Sequence, residues 1–340
     1  MKTITKSSPA NSPSTPASLD VKRSALNVDG SRGAARRAFL RTATLASFVA
    51  AARAPAYAAS TDSSQDIVFM SATKLAQLIR EKKVSSVEVV KAHYARIDAV
   101  NPKLNAVVQF CRERALAEAK AADDSLARGT VKGSLHGVPM AIKDSWDTEG
   151  VISTGGTQGR AFFVPAKDAT VVARLRAAGA ILLGKTNTPE FTLGGISGLG
   201  TTVNILYGMS RNPYDPTRST AGSTGGGGAI IAAGGAPFDI GTDFGGSIRG
   251  PAHANGIAGI KPTTGRIPRT GHIVDFGRVF DSYQQGCPMA RRVEDLKLLM
   301  PILVGPDDLD ACIWPMPWND PAAVDVSKLR VAFYTSMAPD

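Results

Sequence analysis

The chain has 340 residues, of which 43% are hydrophobic and 20% charged, enough apolar material for the core of one large or two ordinary domains. Its net charge of +10 invites a nucleic-acid partner, but residues 1–58 hold nine Lys and Arg against two Asp and account for +7 of it; the near-neutral remainder, without a basic run, excludes nucleic acid as the main partner. Three cysteines, Cys111, Cys287 and Cys312, are odd in number and form no C-x-x-C pair, so no metal, redox or other cofactor site follows from them.

Residues 1–34 are rich in Ser, Pro, Ala and Gly, a composition that cannot bury enough apolar surface to order itself. Then follow paired Arg36 and Arg37, Phe39 and Leu40, a weakly apolar run at 42–52, and Ala56-Tyr57-Ala58. This pattern resembles a twin-arginine export signal cleaved after Ala58, which implies a periplasmic or secreted protein whose folded domain occupies 59–340. A membrane anchor fails on length, because a span needs about 20 apolar residues and Arg53 interrupts the run. Substrates of that route fold in a reducing cytoplasm, so no disulfide is expected.

From Ser71, the spacing of Leu75, Leu78 and Ile79 predicts an amphipathic helix. Ser71-x-x-Lys74 matches the serine β-lactamase signature, but without the companion motifs it reads as a helix cap. Ser85-x-x-Glu88 reads as a capping box opening a second helix over 87–100. Residues 104–110 are strand-like, 112–128 form a third helix, and 138–142 a strand ending at Lys143. Asp168 is expected to cap a helix over 169–179, with a strand over 180–187. Residues 179–186 match the phosphate-loop pattern G-x-x-x-x-G-K-[ST] literally, but the four variable residues are an apolar strand preceded by a helix, the reverse of the order that motif needs. Beyond a loop-rich stretch with a turn at Asn212-Pro213, small apolar residues at 226–233 suit a helix packed closely on a sheet. A strand over 238–241, a helix after Ser247, a short strand and turn near 256–272, a helix over 293–304 and a buried strand over 329–334 complete the expectation.

Two serines sit in glycine-rich settings: Ser223 in AGSTGGGG and Ser247 in GTDFGGSIRGPA. Glycine allows close backbone approach and positive φ, so Ser247 lies among exposed N–H groups on a strand-to-helix turn, the setting of an oxyanion site. The plainer reading is a glycine loop with a solvated serine. Lys143 likewise reads as a solvated strand-end charge, or as a partly buried base. A serine nucleophile needs a neighbouring base. Of His93, His136, His253 and His272, only His253 lies near Ser247 in sequence, and no G-x-S-x-G elbow exists to support a Ser-His-Asp site.

Together, GVPMAIKD around Lys143, AGSTGG around Ser223 and GTDFGGSIRGPA around Ser247 resemble the motifs of the amidase signature family. The resemblance implies an α/β fold, a central mixed β-sheet covered by helices on both faces, with its C-terminal part missing because relatives continue well beyond Tyr334. It implies a catalytic set of Lys143 as base, Ser223 as proton relay after a cis Gly222–Ser223 bond, and Ser247 as acyl-forming nucleophile. The backbone N–H groups of Phe244, Gly245, Gly246 and Ser247 would hold the oxyanion, with Asp243, Arg249, Gly222 and Thr224 in support. Ala221, Thr224 and Gly227 stand where the family usually has Gly, Ser and Ser. The implied activity is amide hydrolysis on a small-molecule amide with water; an amidotransferase component, an ester-tolerant hydrolase and an inactive binding protein are the alternatives.

Overall fold

The computed structural model describes residues 67–194, 200–274 and 283–331. The export-signal stretch, with Arg36, Arg37 and Ala58, and residues 332–334 of the last expected strand lie outside them.

Helix α1 (Ala72–Arg80) starts where Ser71 accepts the Lys74 N–H, so that serine is a cap as expected. Helix α2 (Ser86–Leu104) opens with the full Ser85/Glu88 capping box. It runs past the expected end, through Pro102, and stops at Asn105 in the left-handed region, φ 48°. Asn101 secures the exit by accepting the N–H groups of Ala106 and Val107 and donating to the Val107 carbonyl. The strand that follows, β1 (Val107–Phe110), is therefore shorter than the apolar run predicts.

Helix α3 (Arg112–Ala127), β2 (Pro139–Lys143), α4 (Thr170–Ala177) and β3 (Ile181–Thr186) come next. Asp168 does not cap α4; Ala169 holds that position without a side-chain bond. Asp168 instead accepts the Glu149 N–H at 2.8 Å and pairs with Arg176 at 2.7 Å, tying the helix to the loop before it. The phosphate-loop match falls on buried β3 with α4 before it, as the sequence context requires. A two-stranded ribbon, β4 (Val203–Asn204) with β5 (Gly208–Met209), lies in the loop-rich stretch. Helix α5 (Gly225–Ala232), β6 (Phe238–Asp243), α6 (Arg249–Ala254), β7 (Ala258–Gly259), β8 (Gln285–Ala290) and α7 (Val293–Leu303) follow.

The six-stranded sheet runs β1-β3-β2-β6-β8-β7. The central trio β3-β2-β6 is parallel, and the pairs outside it are antiparallel. The expected mixed sheet is thus present, with helices on both faces. On one face Met140, Ile142, Leu182, Phe238 and Ile240 pack with α1, α4 and α7; on the other, Ala141, Ile181 and Leu183 pack with α2, α3 and α5. Burial on both faces explains why these strands read as nearly continuous apolar runs. The strand expected over 329–334 does not form in its described part: Leu329 and Val331 are exposed and unpaired with the sheet. Among the described residues, no helix is long and apolar enough to cross a membrane.

Candidate active site

The C-terminal ends of the parallel strands converge on one cleft, the usual binding edge of an open α/β sheet. Lys143 ends β2 with no exposed surface. Its Nζ donates to Ser223 Oγ at 2.7 Å and to Thr242 Oγ1 at 3.1 Å. Burial drives the lysine down to about 7, against the opposing pull of Asp239 and, more weakly, Asp243. The side chain is more deeply buried than the sequence suggests.

Ser223 lies just before α5, and the Gly222–Ser223 bond is cis. The bend brings Ser223 Oγ over the end of β2, while the Thr224 N–H donates to the Ser247 carbonyl at 3.2 Å, joining the two serine loops. A side chain at Gly222 would collide with Thr201, its Cβ falling 2.8 Å from the Thr201 carbonyl oxygen. Gly225, Gly226 and Gly227 are equally confined, so the first turn of α5 lies flush against its neighbours.

Ser247 stands in the turn between β6 and α6, half-buried. Asp243 organises that turn: its carboxylate accepts the N–H groups of Gly246 at 2.9 Å, Ile248 at 3.0 Å and Arg249 at 3.2 Å, and pairs with the Arg249 guanidinium at 2.9 and 3.1 Å. Burial pushes the Asp243 carboxyl up, but these donors together hold it below the usual carboxylate range. The Gly246 N–H, expected to face an oxyanion, is therefore given to Asp243. Phe244, Gly245, Ser247 and Ser223 line one cavity of about 540 Å³, together with Thr242 and Gln284. Among the described residues, no hydrogen bond joins the Ser223 and Ser247 hydroxyls.

His253 is exposed on α6. His272, which has no motif around it, lies deep beside the lysine: Nε2 is 3.0 Å from Ser145 Oγ and 3.5 Å from Thr242 Oγ1, and the ring packs edge-on against Trp146. Burial, then the nearby Lys143 charge, depress it to about 3, so it is a neutral hydrogen-bonding ring. Asp239 is another residue that the sequence hides; it reads as a polar interruption of an apolar strand, yet it is wholly buried, paired in register with Ala141, two residues before Lys143. A second buried lysine, Lys185, donates to Thr148 Oγ1 and Ser153 Oγ, each at 3.0 Å, and to the Trp146 carbonyl. Among the described residues, no group of three His, Cys, Asp or Glu is placed to hold a metal.

A desolvated amine is thus bonded to one serine, and a second serine lines the same cavity; the contact between the two serines that the resemblance implies is not made. The model of the amidase family matches residues 88–340. The chain belongs to the amidase family. Its relatives within that family include a component of the glutamyl-tRNA(Gln) amidotransferase of Streptomyces coelicolor, 42% identical over 263 residues that cover 77% of this chain and 51% of that protein. The indoleacetamide hydrolase of Bradyrhizobium diazoefficiens is 41% identical over 264 residues, 77% of this chain and 49% of that one. Among solved amidases, the peptide amidase from Stenotrophomonas maltophilia superposes with a TM-score of 0.67 at 33% identity, covering 74% of this chain and 51% of the other. The chain spans about half the length of the curated relatives it matches.

Proposed function

We propose that this chain carries the catalytic centre of an amidohydrolase that cleaves carboxylic amides through an acyl-enzyme on Ser247. The observation that carries the reading is the 2.7 Å bond from a fully buried, weakly basic Lys143 to Ser223, in the cavity that Ser247 lines.

Neutral Lys143 takes the Ser223 proton as Ser223 takes that of Ser247, and Ser247 Oγ adds to the amide carbonyl. The step needs the Ser247 side chain to turn toward Ser223, a tightening expected when substrate docks. The N–H groups of Gly245 and Ser247, with Phe244 beside them, face the developing oxyanion; Asp243, through Gly246, Ile248 and Arg249, fixes the turn that presents them. Ser223 then returns the proton to the departing nitrogen, which solves the central difficulty of amide cleavage, a poor leaving group that must be protonated. Water, activated by the same relay, releases the acid and restores Ser247.

A fluorophosphonate probe tests the reading: it labels Ser247, and both labelling and anilide hydrolysis vanish in Ser247→Ala. A folded protein that never labels supports the inactive binding alternative and ends the proposal. The likeness to glutamyl-tRNA(Gln) amidotransferase components favours a second reading, in which ammonia released at this site is passed to a partner's substrate. Robust amide hydrolysis by the chain alone speaks for the first reading, and turnover only with a partner for the second. We propose that the protein is exported, to the periplasm or beyond, on the strength of the Arg36-Arg37 signal; an exported form whose N-terminus begins after Ala58 is the expected result, and a cytoplasmic form beginning near Met1 removes the assignment.

A further inference from the structure

We propose that Asp239 is a positioning residue for this site: its carboxylate, sealed between the sheet and the first turn of α5, is the counter-charge that sets the pH at which Lys143 gives up its proton. The inference rests on the reading of Lys143 as the base and adds a residue that none of the three motif positions supplies.

The placement follows from strand register. Ala141 pairs with Asp239 and Ile142 with Ile240 across the parallel β2–β6 ladder. Side chains alternate along a strand, so Asp239, Ala141 and Lys143 share the sheet face that α5 covers. Position 227 on that helix accommodates the carboxyl group. A Cβ there would lie 2.7 Å from Asp239 Cγ and 2.9 and 3.0 Å from its two oxygens, so only glycine leaves room. The first turn of a helix also presents positive partial charge to a carboxylate.

The carboxylate is incompletely satisfied by hydrogen bonds. Oδ2 accepts Thr186 Oγ1 at 2.7 Å, whereas Oδ1 is buried without a hydrogen bond among the described residues. A buried ionised oxygen left so is costly unless a nearby positive charge compensates. Lys143 is the first cation acting on it and Lys185 the second; Lys185 has Asp144 as its own leading counter-charge.

The other groups around Lys143 contribute less. Asp243, at the end of β6, is engaged by Arg249 and three N–H groups. Burial raises the Cys287 thiol on β8 far above its ordinary value, and His272 is driven to about 3, so both are uncharged near neutrality. Ser223 and Thr242 offer hydroxyls only. That leaves Asp239, itself pushed up to about 6 by burial, as the negative charge holding Lys143 above the value that burial alone would impose.

The test uses the full chain with 13C-labelled lysine. NMR follows the Lys143 ε-carbon from acid to alkaline pH, the signal being assigned by its loss in Lys143→Met. Asp239→Asn keeps the shape and removes the charge; the Lys143 midpoint is expected to fall by about one pH unit or more. Thr186→Val removes the hydroxyl that favours the charged carboxylate and lowers the midpoint by less, in the same direction. An unchanged or higher midpoint in Asp239→Asn overturns the inference; should that variant not fold, an unchanged midpoint in Thr186→Val does so. Fluorophosphonate labelling of Ser247 separates the two claims. Labelling whose pH dependence moves with the midpoint supports both. A moved midpoint with no labelling at any pH ends the hydrolase reading alone, and persistent labelling with an unmoved midpoint ends the role of Asp239 alone.

Discussion

Lowering the pH through neutrality is expected to switch the proposed activity off with a profile that an ordinary lysine cannot give. The Lys143 ammonium is taken wholly out of water, and the hydroxyls of Ser223 and Thr242 replace only part of its hydration. Burial moves it from 10.5 to about 7. One pH unit below that midpoint roughly a tenth of the molecules carry the neutral amine, and one unit above it roughly nine-tenths do. The kcat/KM for a soluble anilide, which reports ionisation of the free enzyme, is then expected to rise about tenfold over those two units and level off. A lysine left at 10.5 would give a rise of about a hundredfold over the same interval and no plateau. The assay is initial rate at substrate well below KM, with Lys143→Ala as the control that removes the limb. A profile flat across neutrality, or one still rising tenfold per unit well into the alkaline range, refutes the assignment of Lys143 as a desolvated base.

Two further outcomes concern stability. Ala221 lies at φ 55°, where the left-handed region costs a non-glycine residue about 1–2 kcal/mol; Ala221→Gly is expected to stabilise the fold by roughly 0.5–1 kcal/mol after the added freedom of the unfolded chain is subtracted, and urea denaturation showing a loss would contradict this. Arg269 and Asp310 form a buried pair, 1% and 0% exposed, with bonds of 3.1 Å from Nε and Nη2; Arg269→Met strands the Asp310 carboxylate and is expected to cost about 3–5 kcal/mol, read as a lower urea midpoint with an unchanged slope.

The residues to which we assign the chemistry were legible because their types are unusual for their settings. A lysine ending an apolar strand and two serines among glycines stand out without any coordinates. The helices were legible where local chemistry specifies them, as with the Ser85/Glu88 box. Asp239, Thr242 and His272 were not, because each matters through a neighbour brought close by pairing or packing: Asp239 through β2 and Gly227, Thr242 through Lys143, His272 through Ser145. Residues 329–331 fail as a strand for the same reason. An apolar run supplies side chains suited to a pleated surface, but a strand exists only by pairing, and none of the described strands pairs with Leu329 or Val331. Asp168 shows the converse, a residue of capping type recruited instead by Glu149 and Arg176.

The contact between Gly227 and Asp239 also constrains the history open to this sequence. A side chain at 227 needs a small residue at 239, so the two positions cannot drift independently. Shrinking 239 first leaves a gap that a folded protein can tolerate, whereas enlarging 227 first drives an atom into a carboxyl group. The shrinking step must come first in either direction: a lineage leaving this pair changes 239 before 227, and one arriving at it changes 227 before 239.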